Sequence, residues 1–276
     1  MKLIILLIMS GLLFSCNHES IDQSSGFINE KGNAAEFSLN AEYNLVPDSI
    51  LKNFNSWYRY AYFNVPLSQD FIGLDVDSNK IDKTTFLQKL MTGVVVAFKT
   101  KVILGQPVYR LYKLNRNDES IKSTVKQLAY IEMRHLKMEG QQIPEFNFTD
   151  LNGNNYTSSS TKGKVILLKC WFIHCGACVK EFPECNTVVD EYKDRKDLLF
   201  ISLASDTKDQ LSTFLQSKTF KYAVVARMND YMTNKLDINM YPTHLLVDRS
   251  GRILKVVNSV EEMKLFLKKE MKNSIN

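Results

Sequence analysis

Residues 164–183 read KVILLKCWFIHCGACVKEFP, and this stretch decides the fold of the second half of the chain. The apolar run 164–173 predicts a buried strand, and a helix is predicted to follow over 177–195. Cys175 and Cys178 therefore lie at a strand-to-helix junction. The positive end of a helix dipole stabilises a thiolate on the first cysteine, and the second, one turn later, is placed to attack a mixed disulfide.

Four uses of this pair are open: a zinc site, haem attachment, a static disulfide and a catalytic disulfide. A zinc site needs about four ligands, and no second Cys-X-X-Cys is present. Cys170 falls in the apolar strand, and Cys185 is expected on another side of the helix. Attachment of a c-type haem requires His directly after the second cysteine, where this chain has Val179. We therefore expect no metal and no cofactor.

The sequence around the pair alternates strand and helix patterns. Strands are predicted at 198–204, 223–227, 243–248 and 252–257, a short strand pair around Asn152 and Gly153, a helix capped by Thr207 and Gln210, and a last helix capped by Ser259 and Glu262. Pro183 is expected to kink or interrupt the helix after the cysteines. The alternation predicts a three-layer α/β domain with a mixed sheet over residues 141–276.

Two segments, GKVILLKCWFIHCGACVKEFP (163–183) and YPTHLLVDRSGRI (241–253), carry a family resemblance. Together they resemble the TlpA/ResA-type domains, which are extracytoplasmic, membrane-tethered thiol–disulfide oxidoreductases with a thioredoxin-like fold. The resemblance covers roughly half the chain. It implies that Cys175 is the nucleophile and Cys178 the resolving cysteine of a redox-active disulfide.

The same resemblance implies roles for five neighbours of the pair. Glu181 matches a glutamate that modulates the thiols. Pro242 matches a loop proline whose preceding bond, after Tyr241, is cis, and Thr243 completes that loop. The loop would expose backbone beside the disulfide for pairing with a substrate. Trp171 matches an aromatic residue that packs near the site.

Two positions depart from the family pattern, and both concern redox tuning. His174 stands where thioredoxins have Trp, and Lys169 stands where a buried Asp or Asn is usual. An ammonium group close to the thiols would favour the thiolate and lower the thiol pKa. Alternatively, the long Lys169 side chain reaches water at the end of the sheet. Glu181 is a potential partner for Lys169 if that lysine is buried.

The N-terminus predicts export and lipid attachment. Lys2 and the apolar run LIILLIMSGLLF form a signal peptide over residues 1–15, too short for a comfortable membrane span. The sequence up to Cys16 resembles a bacterial lipoprotein box, which implies a lipid on that cysteine. Residues 16–36 are polar and predict a flexible tether. The protein would then be anchored to a bacterial membrane, facing the periplasm or the cell exterior.

Residues 37–140 predict a smaller α+β domain of unknown purpose. Helical spacing marks 49–63 and 82–90, strand patterns mark GVVVAF and PVYRLYKL, and Asp118 begins a long amphipathic helix that Gly140 closes. The net charge of +5 is spread along the chain, which argues against a nucleic-acid partner.

Two function classes follow from these observations. The first is an enzyme that reduces disulfides of other proteins and receives electrons from an upstream redox donor, with cytochrome c maturation as one candidate pathway. The second is a partner- or metal-binding lipoprotein that uses a modified thioredoxin scaffold. The intact cysteine pair and Pro242 favour the enzyme, because a scaffold would tolerate their loss.

Overall fold

The computed structural model describes residues 40–44, 46–115 and 117–273, which form two five-stranded sheets and one two-stranded sheet. The predicted signal peptide, the Cys16 lipidation site and the tether over 16–36 lie outside the described residues. No helix in the described ranges combines the length and apolar character that crossing a membrane requires.

The first half is an α+β layer, as its sequence predicts. Its elements are β1 (Asn40–Glu42), α1 (Pro47–Ile50), α2 (Phe54–Asn64), β2 (Ile72–Leu74), β3 (Lys80–Ile81), α3 (Lys83–Met91), β4 (Val95–Ile103), β5 (Gln106–Lys113) and α4 (Glu119–Met138). The sheet order is β1-β4-β5-β2-β3, antiparallel except between β5 and β2. The core of this layer includes Phe86 and Phe98 from α3 and β4 and Ile121 from α4, all fully buried. Strands β1, β2 and β3 have two or three residues each, too few for a period-two pattern to reveal them.

The second half contains the mixed sheet that the sequence predicts. Its elements are β6 (Asn147–Thr149), β7 (Asn155–Thr157), β8 (Val165–Trp171), α5 (Gly176–Lys180), α6 (Phe182–Glu191), β9 (Leu198–Ala204), α7 (Lys208–Leu215), β10 (Ala223–Val225), β11 (Thr243–Val247), β12 (Ile253–Val257) and α8 (Val260–Asn273). The sheet order is β10-β9-β8-β11-β12, with β8, β9 and β10 parallel and β11 antiparallel to both β8 and β12.

Strand β8 is the central strand, and all seven of its residues are buried. Its alternate side chains point to opposite faces of the sheet. Ile166, Leu168 and Cys170 pack with the β6–β7 side, whereas Val165 and Leu167 pack with α6 and α8. The strand is covered on both faces, which explains why its sequence reads as a continuous apolar run.

The helix after the cysteines is divided at Glu181. Instead of one helix over 177–195, the chain forms α5 and then α6, and Pro183 lies in the first turn of α6. Pro183 has no N–H to donate to the preceding turn, which accounts for the division. The expected interruption at this proline is therefore confirmed, while the predicted end at Arg195 is wrong, since the helix ends at Glu191.

Polar contacts join the two halves. Lys255 of β12 forms an ion pair of 3.1 Å with Glu139, just after α4. Ser68 donates a hydrogen bond of 2.7 Å to Glu262 of α8. Both contacts are at least partly buried. The described part of the chain from Asn40 onward accordingly belongs to one compact unit.

Candidate active site

Cys175 and Cys178 are joined as a disulfide with an S–S distance of 2.00 Å. Cys175 is the N-cap residue of α5, and its Sγ accepts a hydrogen bond of 3.2 Å from the backbone N–H of Cys178. Cys175 is 8% exposed and Cys178 is fully buried. An incoming thiol or disulfide can therefore reach Sγ of Cys175 before it reaches Sγ of Cys178.

The segment before the pair is fixed by a carboxylate from the neighbouring strand's end. The backbone N–H of Ile173 donates a hydrogen bond of 2.8 Å to Oδ2 of Asp206, which follows β9. The backbone N–H of Cys175 donates to the carbonyl oxygen of Phe172 at 3.1 Å. These two bonds hold the loop between β8 and α5, so the disulfide has a defined position at the end of the sheet.

The 241–243 loop lies beside this segment. The Tyr241–Pro242 peptide bond is cis. The ring of Tyr241 contacts the ring of Phe172 edge-on, with a centroid distance of 5.4 Å. Asn258 Nδ2 donates hydrogen bonds to the carbonyl oxygen of Pro242 at 2.9 Å and to Oγ1 of Thr243 at 3.0 Å. The structure thus brings together two segments that are about 70 positions apart in the sequence.

An aromatic cluster packs around the buried sulfur. Trp171, at the end of β8, lies in one apolar cluster with Cys175, Cys178 and Phe182. The rings of Trp171 and Phe182 meet edge-on at 5.0 Å. The low polarity of this cluster disfavours a charge on the inner sulfur, so any ionised thiol needs electrostatic support from elsewhere.

Lys169 is fully buried beneath this region, so the expectation that its side chain reaches water is wrong. Its Nζ forms an ion pair of 2.5 Å with Oε2 of Glu181. The side chain shares the α6 and α8 face of β8 with its i±2 neighbours Leu167 and Trp171. Burial of a lysine is stabilised only when it is paired, and the division between α5 and α6 places that partner directly above the strand.

His244 completes a three-residue network that the sequence analysis missed. It lies opposite Lys169 in the β11–β8 register and is fully buried. Its Nε2 is 2.9 Å from Oε2 of Glu181 and 3.3 Å from Nζ of Lys169. Burial, together with the nearby ammonium group, lowers the pKa of His244 to about 4. The signal in the sequence was a histidine inside an apolar strand, two residues after Pro242.

Glu181 accepts three hydrogen bonds in this network. Besides the contacts to Oε2, its Oε1 accepts from the backbone N–H of Val260 at 2.9 Å, at the start of α8. Burial of the carboxyl opposes ionisation, but the hydrogen bond and charge of His244 and of Lys169 outweigh it and lower the pKa of Glu181 to about 2. Glu181 therefore serves as an ionised connector between β8, β11 and α8.

The other singled-out side chains lie apart from this network or have packing roles. His174 is exposed, directly before Cys175. Cys170 and Cys185 are fully buried free thiols in the apolar clusters on the two faces of the sheet. Burial raises the pKa of each to about 12, which leaves them as unreactive thiols. In the ranges that the structure describes, no group of His, Cys, Asp and Glu side chains is arranged to hold a metal ion.

Comparison with known proteins points to one class of enzyme. Residues 138–274 match the Redoxin family. The thiol-disulfide oxidoreductase ResA of Bacillus thuringiensis subsp. konkukian (strain 97-27) is 29% identical over 138 residues, which cover 48% of this chain and 79% of that protein. ResA of Bacillus subtilis (strain 168) is 28% identical over 119 residues, 43% of this chain and 66% of its own.

Solved structures with similarity to this chain cover the same share of it. The thioredoxin domain of a thiol-disulfide oxidoreductase from Bacteroides vulgatus has a TM-score of 0.43 and 24% identity, over 48% of this chain and 96% of that one. A thiol-disulfide oxidoreductase from Bacteroides fragilis NCTC 9343 has a TM-score of 0.43 and 20% identity, over 47% and 98%.

Proposed function

The C-terminal half of this chain is a thioredoxin-fold thiol–disulfide oxidoreductase domain of the TlpA/ResA type, and we propose that it reduces disulfides in other proteins outside the cytoplasm. The observation that carries the proposal is the Cys175–Cys178 disulfide at the start of α5, in the part of the chain that is similar to the ResA oxidoreductases. Cys175 is the attacking cysteine because its sulfur lies on the accessible side of the pair.

The reaction follows from these positions and balances in atoms and electrons. The Cys175 thiolate attacks one sulfur of a substrate disulfide, and the other substrate sulfur leaves as a thiolate that takes up a proton. Cys178 then loses its proton and attacks the Cys175 sulfur. The second substrate sulfur departs and is protonated, so two enzyme thiols become a disulfide and the substrate disulfide becomes two thiols. A dithiol donor returns the pair to the reduced form.

A trapping experiment tests the assignment of the two cysteines. Cys178→Ala removes the resolving sulfur, so mixed disulfides with substrate proteins accumulate through Cys175. Cys175→Ala is the matched control and accumulates none, because the remaining Cys178 sulfur is buried. Mass-spectrometric mapping of the joined peptides decides the outcome. Partners joined through Cys178, Cys170 or Cys185 would show that the assignment is wrong.

We also propose that the protein is lipid-anchored through Cys16. The support is the lipoprotein-box resemblance of the sequence before Cys16 and the polar tract that follows it. A lipoprotein cysteine carries enough acyl chains for stable attachment. A Cys16→Ser variant is expected to leave the membrane fraction at high salt or to remain unprocessed. A processed Cys16→Ser protein that stays membrane-bound would contradict the anchor.

The substrate class is proposed from the same resemblance. Cytochrome c maturation requires a reduced Cys-X-X-Cys in the acceptor protein before haem attachment, and a dithiol enzyme of this kind supplies that reduction. The measurement is exchange between the reduced full chain and an oxidised Cys-X-X-Cys-His peptide, compared with a peptide whose two cysteines are further apart. Equal rates for the two peptides would count against this substrate class.

A further inference from the structure

We propose that Lys169 and His244 hold Glu181 as a permanent carboxylate, and that Lys169 takes the place of a proton that a Glu181–His244 pair would otherwise bind. The charge of the network beside the redox cysteines then stays constant through neutral pH. His244 is thereby assigned as a positioning residue. The inference rests on the proposed reaction for its effect on turnover, and on geometry alone for the protonation states.

The carboxylate of Glu181 has no oxygen available for a proton without losing a bond. Oε2 faces Nζ of Lys169 at 2.5 Å and Nε2 of His244 at 2.9 Å, and Oε1 accepts from the Val260 N–H at 2.9 Å. Protonation would turn one acceptor oxygen into a donor that faces another donor. It would also leave the fully buried Lys169 ammonium without a counter-charge, which is costly in the interior.

The surroundings of His244 select one neutral tautomer. Its Nδ1 is buried and has no hydrogen-bond partner within the described residues. A proton on Nδ1 would be a buried donor without an acceptor, which is less favourable than a bare lone pair there. The proton therefore sits on Nε2, from which it is donated to Glu181. An imidazolium would carry both protons and would lie 3.3 Å from the Lys169 ammonium.

The other groups around Lys169 do not titrate in the neutral range. Cys170 follows it on β8 and Cys185 faces it from α6, and burial raises the pKa of both to about 12. Ser202 is its register partner on β9, and Tyr222, which lies next to Cys185, has a pKa raised well above its usual value by burial. From α8, the contact to the network is the Val260 N–H. Only Glu181 and His244 can respond to the charge of Lys169.

Removal of Lys169 reverses the balance at His244. Without the ammonium, the imidazole has a carboxylate at 2.9 Å and no competing cation, so it binds a proton and becomes the partner of Glu181. The native lysine thus provides a positive charge that does not depend on pH. Neither proton of the exchange reaction passes through the network, and both are traded between the cysteines, the substrate and solvent.

Histidine nitrogen NMR on the oxidised full chain tests the protonation states directly. With 15N-labelled histidine, the native protein should show His244 as the neutral Nε2–H tautomer from about pH 5.5 to 9, near the usual range for histidine titration. Lys169→Met should show a His244 titration with a pKa above 6.5. Lys169→Arg keeps the charge and should show none. His244→Gln assigns the signal among the four histidines of the chain.

The outcomes separate the network from the reaction. A native His244 that titrates near its ordinary pKa, or that carries its proton on Nδ1, overturns the proposal even if Lys169→Met fails to fold. A folded Lys169→Met protein with no His244 titration also overturns it. In turnover, Lys169→Met should gain a pH inflection that the double variant with His244→Gln lacks. Loss of turnover at every pH with the NMR result intact would instead count against the proposed reaction.

Discussion

At the scale of single residues, the buried network makes the protein sensitive to acid in two successive pH ranges. Below its usual pKa, a histidine in the unfolded chain binds a proton that native His244, with a pKa of about 4, does not bind. The unfolded state is therefore favoured as the pH falls from about 6.5 to 4. Glu181 acts in the same direction from about pH 4.5 to 2, because the unfolded carboxyl protonates first.

The expected result is a free energy of unfolding that falls with decreasing pH below about 6.5. The slope from His244 is at most about 1.4 kcal/mol per pH unit. His244→Gln removes the part between pH 6.5 and 4, since glutamine can still donate to Glu181 but does not titrate. Urea unfolding of both proteins at a series of pH values measures the difference. Identical slopes in the two proteins would show that His244 is protonated equally in both states.

The residues of this site differ in how far sequence could predict them. The cysteine pair is local: one strand, one turn and one helix start place both sulfurs, so the printed sequence suffices. The network is not local, because His244 is 75 positions from Lys169 and 63 from Glu181. The sequence left two open positions for Lys169, and only the register of β11 on β8 decides between them.

At the scale of elements, α4 depends on its first residue. Asp118 accepts a hydrogen bond of 3.1 Å from the backbone N–H of Ile121, as an N-cap aspartate does. The 20-residue helix carries core side chains of the first layer and leads into Glu139, the partner of Lys255. This cap and the capping box of Thr207 and Gln210 were both legible in the sequence, because each involves residues three positions apart.

Asp118→Ala should lower the free energy of unfolding by about 1 kcal/mol, the usual cost of a lost N-cap. Asp118→Asn is the matched control, since asparagine accepts the same hydrogen bond and should retain most of the stability. Chemical denaturation of the three proteins at one pH gives the comparison. Equal stability of the alanine and asparagine variants would mean that solvent replaces the cap at no cost.

At the scale of the whole molecule, the two layers are expected to unfold together. The ion pair between Lys255 and Glu139 and the bond between Ser68 and Glu262 are buried or partly buried where the layers meet. Separation of the layers would expose charged partners that were arranged for each other, and each broken pair has a cost. The sequence indicated two domains but gave no sign of this shared boundary, because its partners are more than 100 positions apart.

The chain offers a direct measurement, because it has two tryptophans and each layer contains one. Trp57 is buried in the first layer and Trp171 in the second. Trp171→Phe and Trp57→Phe therefore give fluorescence reporters of one layer each, and their urea midpoints should coincide with the midpoint from circular dichroism of the same variant. Separate transitions would show that the layers fold independently, whatever the boundary contacts contribute.

The positions of the two spare thiols have a consequence for covalent isomers. Four cysteines allow three complete pairings, yet Cys170 lies on the opposite face of β8 from the redox cluster, and Cys185 is enclosed between α6 and the sheet. Neither sulfur has a low pKa or an open approach. Repeated oxidation and reduction therefore returns the folded domain to one bonding pattern, without an isomerase to correct it, because a wrong pairing first requires the sheet to open.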